Sequence, residues 1–233
     1  MKTIVITGGS KGIGRALVMA FARERCYMIT CGRNEEKMAA LAREVAEKYP
    51  ESTLSYTVAD LSAADGRKAF IAYLKGKTVD VLVNNAGLFL QGQVHTEAEG
   101  ALDLMIRTNL YSAYDISRAV IPSMKARQEG QLINICSTAS VTPYTNGGSY
   151  CISKYAMLGM TKVLREELKD DGIRVTAVLP GATYTPSWEG AGLPEERLMP
   201  PEDVAAAALT AFHVSSRSVV EEVLIRPQRG DLA

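Results

Sequence analysis

The sequence predicts an α/β fold in which one parallel sheet of about seven strands is covered by helices on both faces. Short apolar runs alternate with longer amphipathic segments along the 233 residues, which is typical of strands joined by right-handed helical crossovers. The runs are almost continuously apolar, as expected for strands buried on both faces. No repeat, low-complexity tract or linker interrupts the alternation, so one domain over residues 1–233 is expected.

Seven apolar runs are short and rich in Val and Ile, which predicts strands. In chain order they are TIVIT, YMITC, LSYTV, VDVLVN, QLINIC, IRVTAVL and VEEVLI, at residues 3–7, 27–31, 54–58, 79–84, 131–136, 173–179 and 220–225. Helical patterns lie at residues 12–24, 34–49, 62–74, 100–127, 149–170 and 201–213. Asn34, followed by two acidic residues, is a suitable N-cap for the second helix. Residues 181–200 show little periodicity, and a loop of that length is usually functional or disordered.

Composition excludes several classes of protein. The chain is 47% hydrophobic and 22% charged, which is typical of a folded protein. Lys plus Arg and Asp plus Glu number 26 each, so no net field favours nucleic acid or an acidic membrane surface. No apolar run approaches the roughly 18 residues of a membrane span, and the N-terminal run is too short for a signal peptide.

The cysteines and histidines do not suggest a metal site. There is no CxxC pair and no histidine at metal-ligand spacing, so we expect no bound metal and free thiols in a reducing cytoplasm. The two histidines, His95 and His213, are expected to be incidental surface or helix residues. The four cysteines are Cys26, Cys31, Cys136 and Cys151.

A glycine loop, TGGSKGIG at residues 7–14, follows the first strand and precedes the first helix. Gly8, Gly12 and Gly14 would allow a tight turn and bring backbone N–H groups close to a pyrophosphate. A plain glycine turn is the alternative, but the position between a buried strand and an amphipathic helix favours a dinucleotide site.

The end of the second strand predicts NADP(H) in preference to NAD(H). Rossmann folds that bind NAD place a carboxylate there, which holds the ribose 2′-hydroxyl. This chain has Gly32 at that position, followed by Arg33, while Lys11 lies in the glycine loop. Two cations suit a 2′-phosphate. In the alternative, Arg33 is merely solvated, and Glu35 and Glu36 set the local charge.

Further motifs follow in a fixed order: VADL at 58–61, NNAG at 84–87, Asn109 in RTNLYSAY, Ser137 in NICSTAS, YCISK at 150–154 and PG at 180–181. With the glycine loop, they make the chain resemble the short-chain dehydrogenase/reductase family from about residue 2 to its end, and 3-oxoacyl reductases in particular. The resemblance implies a Rossmann fold with strand order 3-2-1-4-5-6-7. It also implies oxidoreductase activity on a carbonyl or alcohol.

The resemblance also implies site residues. The catalytic tetrad would be Asn109, Ser137, Tyr150 and Lys154. The cofactor would contact Gly8, Ser10, Lys11, Gly12, Ile13, Gly14, Arg33, Asp60, Leu61, Asn85, Ala86, Gly87, Tyr150, Lys154, Pro180, Gly181, Thr183 and Thr185. Thr183 departs from the apolar residue common at its position, where only the backbone is expected to matter.

Tyr150 and Lys154 have the chemistry that carbonyl reduction needs. One helical turn apart, they share a helix face. Lowering a tyrosine pKa from about 10 to near 7 takes about 4 kcal/mol. A lysine ammonium about 4 Å away supplies about that much at an effective dielectric constant near 20. We therefore expect Lys154, together with an oxidised nicotinamide, to lower the pKa of Tyr150.

The other two members have supporting roles. Ser137 ends a strand, where open α/β sheets bind ligands, and its hydroxyl can stabilise an oxyanion. Asn109 lies inside a helix, where asparagine is a poor former. It is expected at a kink or at a water that links Lys154 to solvent; a solvent-facing asparagine is the alternative. A second Tyr–Lys pair, Tyr73 and Lys77, lacks a preceding serine and is assigned to packing and to a helix C-terminus.

The expected pocket is mostly apolar, which indicates a small to medium carbonyl or secondary alcohol. A lid at about residues 183–200 would cover it. Phe89 is equally suited to the core. The candidate lining residues are Trp188, Leu193, Leu198 and Met199 from the lid, with Leu88, Phe89, Leu90, Ala139, Val141 and Tyr144.

Three alternatives remain open. A nucleotide-sensing regulator without catalysis should lack Tyr150 or Lys154, and a nucleotide-sugar epimerase or dehydratase needs a larger substrate domain. Reduction of acyl-carrier-protein thioesters would need a basic docking patch. The turn KDDG at residues 169–172 is acidic, although Lys125 and Arg127 keep that patch open.

The two long helices, at residues 100–127 and 149–170, resemble the interface helices of dimers and tetramers in the family, so a homodimer or homotetramer is expected. An apolar stripe on the second helix suits either the core or that interface. It comprises Ala156, Met157, Met160 and Leu164.

Overall fold

One sheet of parallel strands organises the molecule. The computed structural model describes residues 1–186, 192 and 194–231. Within them the sheet has seven strands in the order β3-β2-β1-β4-β5-β6-β7, which confirms the predicted order. The strands are β1 (Thr3–Thr7), β2 (Tyr27–Gly32), β3 (Thr53–Val58), β4 (Val81–Asn84), β5 (Gly130–Ile135), β6 (Ile173–Pro180) and β7 (Glu222–Ile225).

Helices connect consecutive strands, as the alternating pattern predicts. They are α1 (Gly12–Ala22), α2 (Glu35–Lys48), α3 (Ala64–Leu74), α4 (Ala101–Ile106), α5 (Ser112–Arg127), α6 (Gly148–Leu168) and α7 (Pro201–His213). The Asn34 side chain accepts a hydrogen bond from the Lys37 amide at 2.8 Å, so its predicted role as N-cap is confirmed. The segment predicted as a helix over 100–127 is helical from Ala101 to Arg127, but it contains a π-helical turn at Arg107–Tyr111, between α4 and α5. This turn includes Asn109, the residue expected at a kink.

The sheet is buried on both faces because side chains alternate along each strand. In β1, Ile4 and Ile6 pack into a cluster with Phe21 of α1, whereas Val5 points the other way and packs with Phe70 of α3. All four of these β1 and α1 residues are fully buried. This two-sided burial explains why the strand segments are apolar throughout.

The apolar stripe on α6 belongs to the core. Met157 is buried, while Met160 and Leu164 pack against buried clusters. The exposed apolar side chains of this helix are instead Ile152, Tyr155 and Val163.

The chain reverses direction across the sheet between β1 and β4, which are neighbours. The strands that follow β1 extend to one side, and those that follow β4 extend to the other. Such a switch point leaves a crevice at the carboxyl ends of the strands, where ligands bind in open α/β sheets. No helix among the described residues is long and apolar enough to cross a membrane.

Candidate active site

A cleft of about 590 Å³ opens at the carboxyl ends of the strands. It brings together all the residues expected to contact the cofactor or the reacting carbonyl, with the exception of Asn109. The predicted residues that line it are Gly8, Ser10, Lys11, Gly12, Ile13, Gly14, Arg33, Asp60, Leu61, Asn85, Ala86, Gly87, Ser137, Tyr150, Lys154, Pro180, Gly181, Thr183 and Thr185.

The glycine loop is shaped by backbone conformation and by its neighbours. Gly8 has a φ of 72°, in the left-handed region that favours glycine. A Cβ at Gly14 would collide with the Gly8 carbonyl. Thr7 Oγ1 accepts hydrogen bonds from the amides of Asn85 and Ala86, both at 2.9 Å. The motif after β4 is therefore fastened to the loop after β1.

Cations and one carboxylate stand at the far end of the cleft. Lys11, Arg33 and Asp60 all line it there. Burial acts to raise the pKa of Asp60, but hydrogen bonds from Ser62 and the charge of Arg33 outweigh burial, so that pKa lies below its ordinary value. Glu35 is turned toward β3, where it accepts a hydrogen bond from the Tyr56 hydroxyl at 2.8 Å.

Helix α6 carries Tyr150 and Lys154 on one face. Lys154 is 6% exposed, and its ammonium donates to the Ile135 carbonyl at 2.9 Å. Its Nζ lies 5.9 Å from the centroid of the Tyr150 ring. Burial lowers the pKa of Lys154.

The pKa of Tyr150 does not follow the expected direction. Burial raises it to about 12, although a hydrogen bond with Ser137 acts to lower it. The expected lowering by Lys154 together with an oxidised nicotinamide stays a prediction for the complex with cofactor; in the protein alone, desolvation of the phenolate dominates. Tyr150 is thus held as a protonated phenol.

Asn109 sits in the π-helical turn, where it is buried at 1% exposure. Its Oδ1 accepts from the Leu88 amide at 2.6 Å, and its Nδ2 donates to the Leu88 carbonyl at 2.9 Å and to Ser153 Oγ at 2.8 Å. The alternative of a solvent-facing asparagine is therefore wrong. Single-turn π-bulges are frequent at functional sites, and this one holds the start of the Leu88 segment against α6.

The apolar end of the cleft matches the expected pocket in part. Leu88, Phe89 and Tyr144 line it. The rings of Phe89 and Tyr150 meet edge to face, with centroids 4.9 Å apart. Phe89 is half-buried and lines the cleft, so the equally weighted alternative of an ordinary core residue is wrong.

Other pocket candidates lie elsewhere. Ala139 is buried beside the cleft, and Leu90 and Val141 are exposed. Leu198 and Met199 are also buried, and Met199 joins the core cluster beneath α1, so the expectation that they face substrate is wrong. Trp188 and Leu193 fall outside the described residues. Thr183 and Met199, near the two ends of the expected lid segment 183–200, are joined by an isolated parallel β-bridge.

Several lining residues were missed by sequence reasoning: Leu104, Thr108, Thr138, Thr142, Pro186 and Asp231. Leu104 and Thr108 are four residues apart in the helical pattern before Asn109 and so share a face, a signal that could have identified them. Asp231 reaches the cleft because its carboxylate accepts from Arg226 Nε at 2.8 Å and lies beside Gly181. No motif marks that contact.

The second Tyr–Lys pair has the structural role predicted for it. Lys77 Nζ donates to the Tyr73 carbonyl at 2.5 Å, just past the end of α3, and also lies over the Tyr73 ring. Tyr73 packs against a core cluster.

All four cysteines are buried and free, and no cluster able to hold a metal ion occurs within the described ranges.

Comparison with known proteins supports the family resemblance that the sequence motifs indicated. The family model described as short chain dehydrogenase matches residues 2–195. A sepiapterin reductase of Chlorobaculum tepidum is 31% identical, with 98% of this chain and 97% of the relative covered. A 3-oxoacyl-acyl-carrier-protein reductase of Thermotoga maritima is 32% identical, with 96% and 95% covered.

Among solved structures, an alcohol dehydrogenase from the archaeon Thermococcus sibiricus, complexed with 5-hydroxy-NADP, superimposes with a TM-score of 0.91. It is 26% identical, and the match covers 100% of this chain and 99% of that one.

Proposed function

Because the chain belongs to the short chain dehydrogenase family of oxidoreductases, we propose that it reduces a small to medium carbonyl compound with NADPH, and in reverse oxidises the secondary alcohol. The observation that carries this proposal is the meeting of Ser137, Tyr150 and Lys154 in the cleft that also contains the glycine loop. A regulator that only binds nucleotide has no use for this set of side chains.

The proposed chemistry divides between the cofactor and the protein. When bound, the nicotinamide supplies the hydride and, once oxidised, a positive charge near Tyr150. Ser137 donates a hydrogen bond to the carbonyl oxygen as negative charge develops on it. Tyr150, which stays protonated because of its burial, donates its proton to that oxygen. Lys154 is proposed to contact the cofactor and to stabilise the phenolate that remains.

The preference for NADP(H) over NAD(H) is part of the proposal. Lys11 and Arg33 line the adenosine end, and Gly32 offers no carboxylate against a 2′-phosphate. Arg15 is paired instead with Glu44, whose two carboxylate oxygens accept from Arg15 Nη2 at 2.7 and 2.6 Å. The similar archaeal alcohol dehydrogenase was solved with an NADP derivative.

A segment after β6 is proposed as the lid, at about residues 183–200. Its first residues already cross the glycine loop, because a Cβ on Gly12 would meet the Thr185 methyl at 3.1 Å.

The whole chain, residues 1–233, is proposed to act as a single NADP-binding domain in the cytoplasm, where its buried free thiols would stay reduced.

The substrate is proposed to be a simple carbonyl rather than an acyl-carrier-protein thioester. The lining residues Leu88, Phe89 and Leu104 give the cleft an apolar wall. The two cations that could dock an acidic carrier protein are engaged: Lys125 pairs with Asp171 at 2.7 Å, and Arg127 donates to the Val79 carbonyl at 2.8 Å.

The test is NADPH oxidation over a panel of carbonyls that includes simple ketones, an acetoacetyl thioester and sepiapterin. Tyr150→Phe should abolish turnover, because the ring is retained and only the transferable proton is lost, while NADPH binding by fluorescence titration stays unchanged. A Tyr150→Phe protein with near wild-type kcat would refute the general-acid role. Efficient turnover of the thioester alone would favour the carrier-protein alternative.

A further inference from the structure

The N-terminus of α6 has no capping side chain of its own. Its N-cap residue is Gly147, and the helix start has no local side-chain cap. The first amides of a helix lack intrahelical partners and need acceptors from elsewhere. This first turn carries Tyr150, so its stability bears on the position of the phenol.

Glu97, from the loop before α4, provides the missing cap. Its Oε1 accepts a hydrogen bond from the Ser149 amide at 2.7 Å, and its Oε2 accepts from the Ser149 hydroxyl. A Cβ on Gly148 would collide with this carboxylate, so the glycine leaves the space that Glu97 fills. A carboxylate at a helix N-terminus is favoured by charge-assisted hydrogen bonds and by the helix dipole.

The loop that carries Glu97 is also fastened just ahead of α6. The Gly92 amide donates to the Asn146 carbonyl at 3.0 Å, and Gln93 Nε2 donates to Asn146 Oδ1 at 2.9 Å. Gly92 further pairs with Gly147 in a parallel bridge. Glu97 is therefore presented to Ser149 by a loop that is attached to residues 146 and 147 through its backbone at Gly92 and through the Gln93 side chain.

The other end of the same loop is held by the proposed active site. Asn109 fixes Leu88 through two hydrogen bonds, and the adjacent Phe89 packs against the Tyr150 ring. The segment from Leu88 to Glu97 thus contacts Tyr150 from one side and caps its helix from the other.

We propose that Glu97 is a positioning residue for Tyr150. It holds the first turn of α6 through Ser149 and so sets where the phenol meets the carbonyl oxygen. The proposal rests on the proposed function of Tyr150. It does not require Glu97 to contact substrate or cofactor, and Glu97 is absent from the cleft lining.

The experiment compares Glu97→Ala with Glu97→Gln. Glu97→Ala should lower kcat about tenfold or more, since small misplacements of a reacting group are costly, while the Kd for NADPH stays within about twofold because no cofactor contact is lost. Glu97→Gln should keep most of the activity, because its amide oxygen can accept from the Ser149 amide and its NH₂ can donate to the hydroxyl. Hydrogen exchange of the amides of residues 149–151 should be faster in Glu97→Ala only.

Two controls separate positioning from general instability. Glu99→Ala removes an exposed carboxylate from the same loop and should leave kcat unchanged. Leu168→Ala destabilises the buried far end of the same helix and should lower the melting temperature without the loss of kcat. The positioning role would be overturned if Leu168→Ala, with a melting temperature equal to that of Glu97→Ala, lost as much kcat as Glu97→Ala. It would also be overturned if Glu97→Gln lost as much kcat as Glu97→Ala.

The exchange measurement also keeps this inference distinct from the proposed function. Unchanged exchange at residues 149–151 in Glu97→Ala would overturn the capping role whatever the activity. Absence of wild-type turnover on every carbonyl, with faster exchange in Glu97→Ala, would instead refute the proposed function while the capping of α6 by Glu97 stood.

Discussion

The pKa of Tyr150 depends on how strongly solvent is excluded from its side chain. Ionisation of a phenol in a desolvated cleft is disfavoured, and burial raises its pKa to about 12. The spacing of Tyr150 and Lys154 in the sequence predicted that the lysine ammonium lies near the phenol. Burial of Tyr150 depends on residues distant in the chain, such as Phe89, whose ring meets it edge to face, so the dominance of desolvation could not be predicted from YCISK alone.

The pH dependence of activity follows from that pKa. Reduction needs the protonated phenol, which persists below its pKa, so kcat/KM for reduction at saturating NADPH should stay level from about pH 6 to about pH 9. Oxidation of the alcohol needs the phenolate and should rise with pH. Steady-state rates in both directions across this range check the prediction. A fall in the reduction rate between pH 6 and 8 would contradict it.

Arg33 offers a second test at the residue scale. Arg33→Ala should weaken NADPH binding about tenfold, the loss expected for one hydrogen bond to a charged group, and should leave NADH binding unchanged. Fluorescence titration with both nucleotides measures this. Arg43→Ala, which removes an exposed cation from the following helix α2, is the matched control. Equal weakening of both nucleotides by Arg33→Ala would argue against a 2′-phosphate contact.

Secondary-structure elements were predicted best where a local signal marks their ends. Asn34 and the acids after it located the start of α2, and the structure places the cap there. The π-helical turn at Arg107–Tyr111 was anticipated only as a kink at Asn109, because an asparagine in a helical pattern does not show which irregularity it accompanies. Its cause is tertiary: Asn109 is drawn toward Leu88 and Ser153.

The cap of α2 gives a prediction at the element scale. Asn34→Ala should lower the free energy of unfolding by about 1 kcal/mol, the usual value of an N-cap side chain. Urea denaturation of the cofactor-free protein measures it. Asn34→Asp, which can accept the same hydrogen bond from the Lys37 amide, should retain the stability. A loss in Asn34→Asp as large as in Asn34→Ala would mean that the cap is not the cause.

At the scale of the whole molecule, the strand order followed from the family resemblance that the motifs carry in chain order, and the structure has that order. The assignment of the α6 stripe did not, because helical periodicity alone cannot distinguish a core face from an interface. Met157 turned out to face the core, while Tyr155 and Ile152 are exposed at 43% and 42%. Two tyrosines of the preceding helical segment, Tyr111 and Tyr114, are exposed at 46% and 45%.

We expect these exposed side chains to contribute to the pairing of copies of the chain, since aromatic residues are enriched at interfaces. Light scattering should give the mass of a dimer or tetramer for the wild type. Tyr155→Glu should lower that mass by placing a charge in the contact, whereas Tyr155→Phe should preserve it. A wild-type protein that runs as a monomer at all concentrations would rule out the pairing.

The last strand has a consequence for how the protein is made. The Gly181 amide donates to the Ile225 carbonyl at 2.8 Å, so the Pro180–Gly181 segment, which is expected to contact the cofactor, gains this hydrogen bond when β7 pairs with β6. During translation, Ser137, Tyr150 and Lys154 emerge from the ribosome well before residue 225. Since chains begin to fold from the N-terminus while still being synthesised, most of the sheet can form early. The cofactor site is completed only by the final strand.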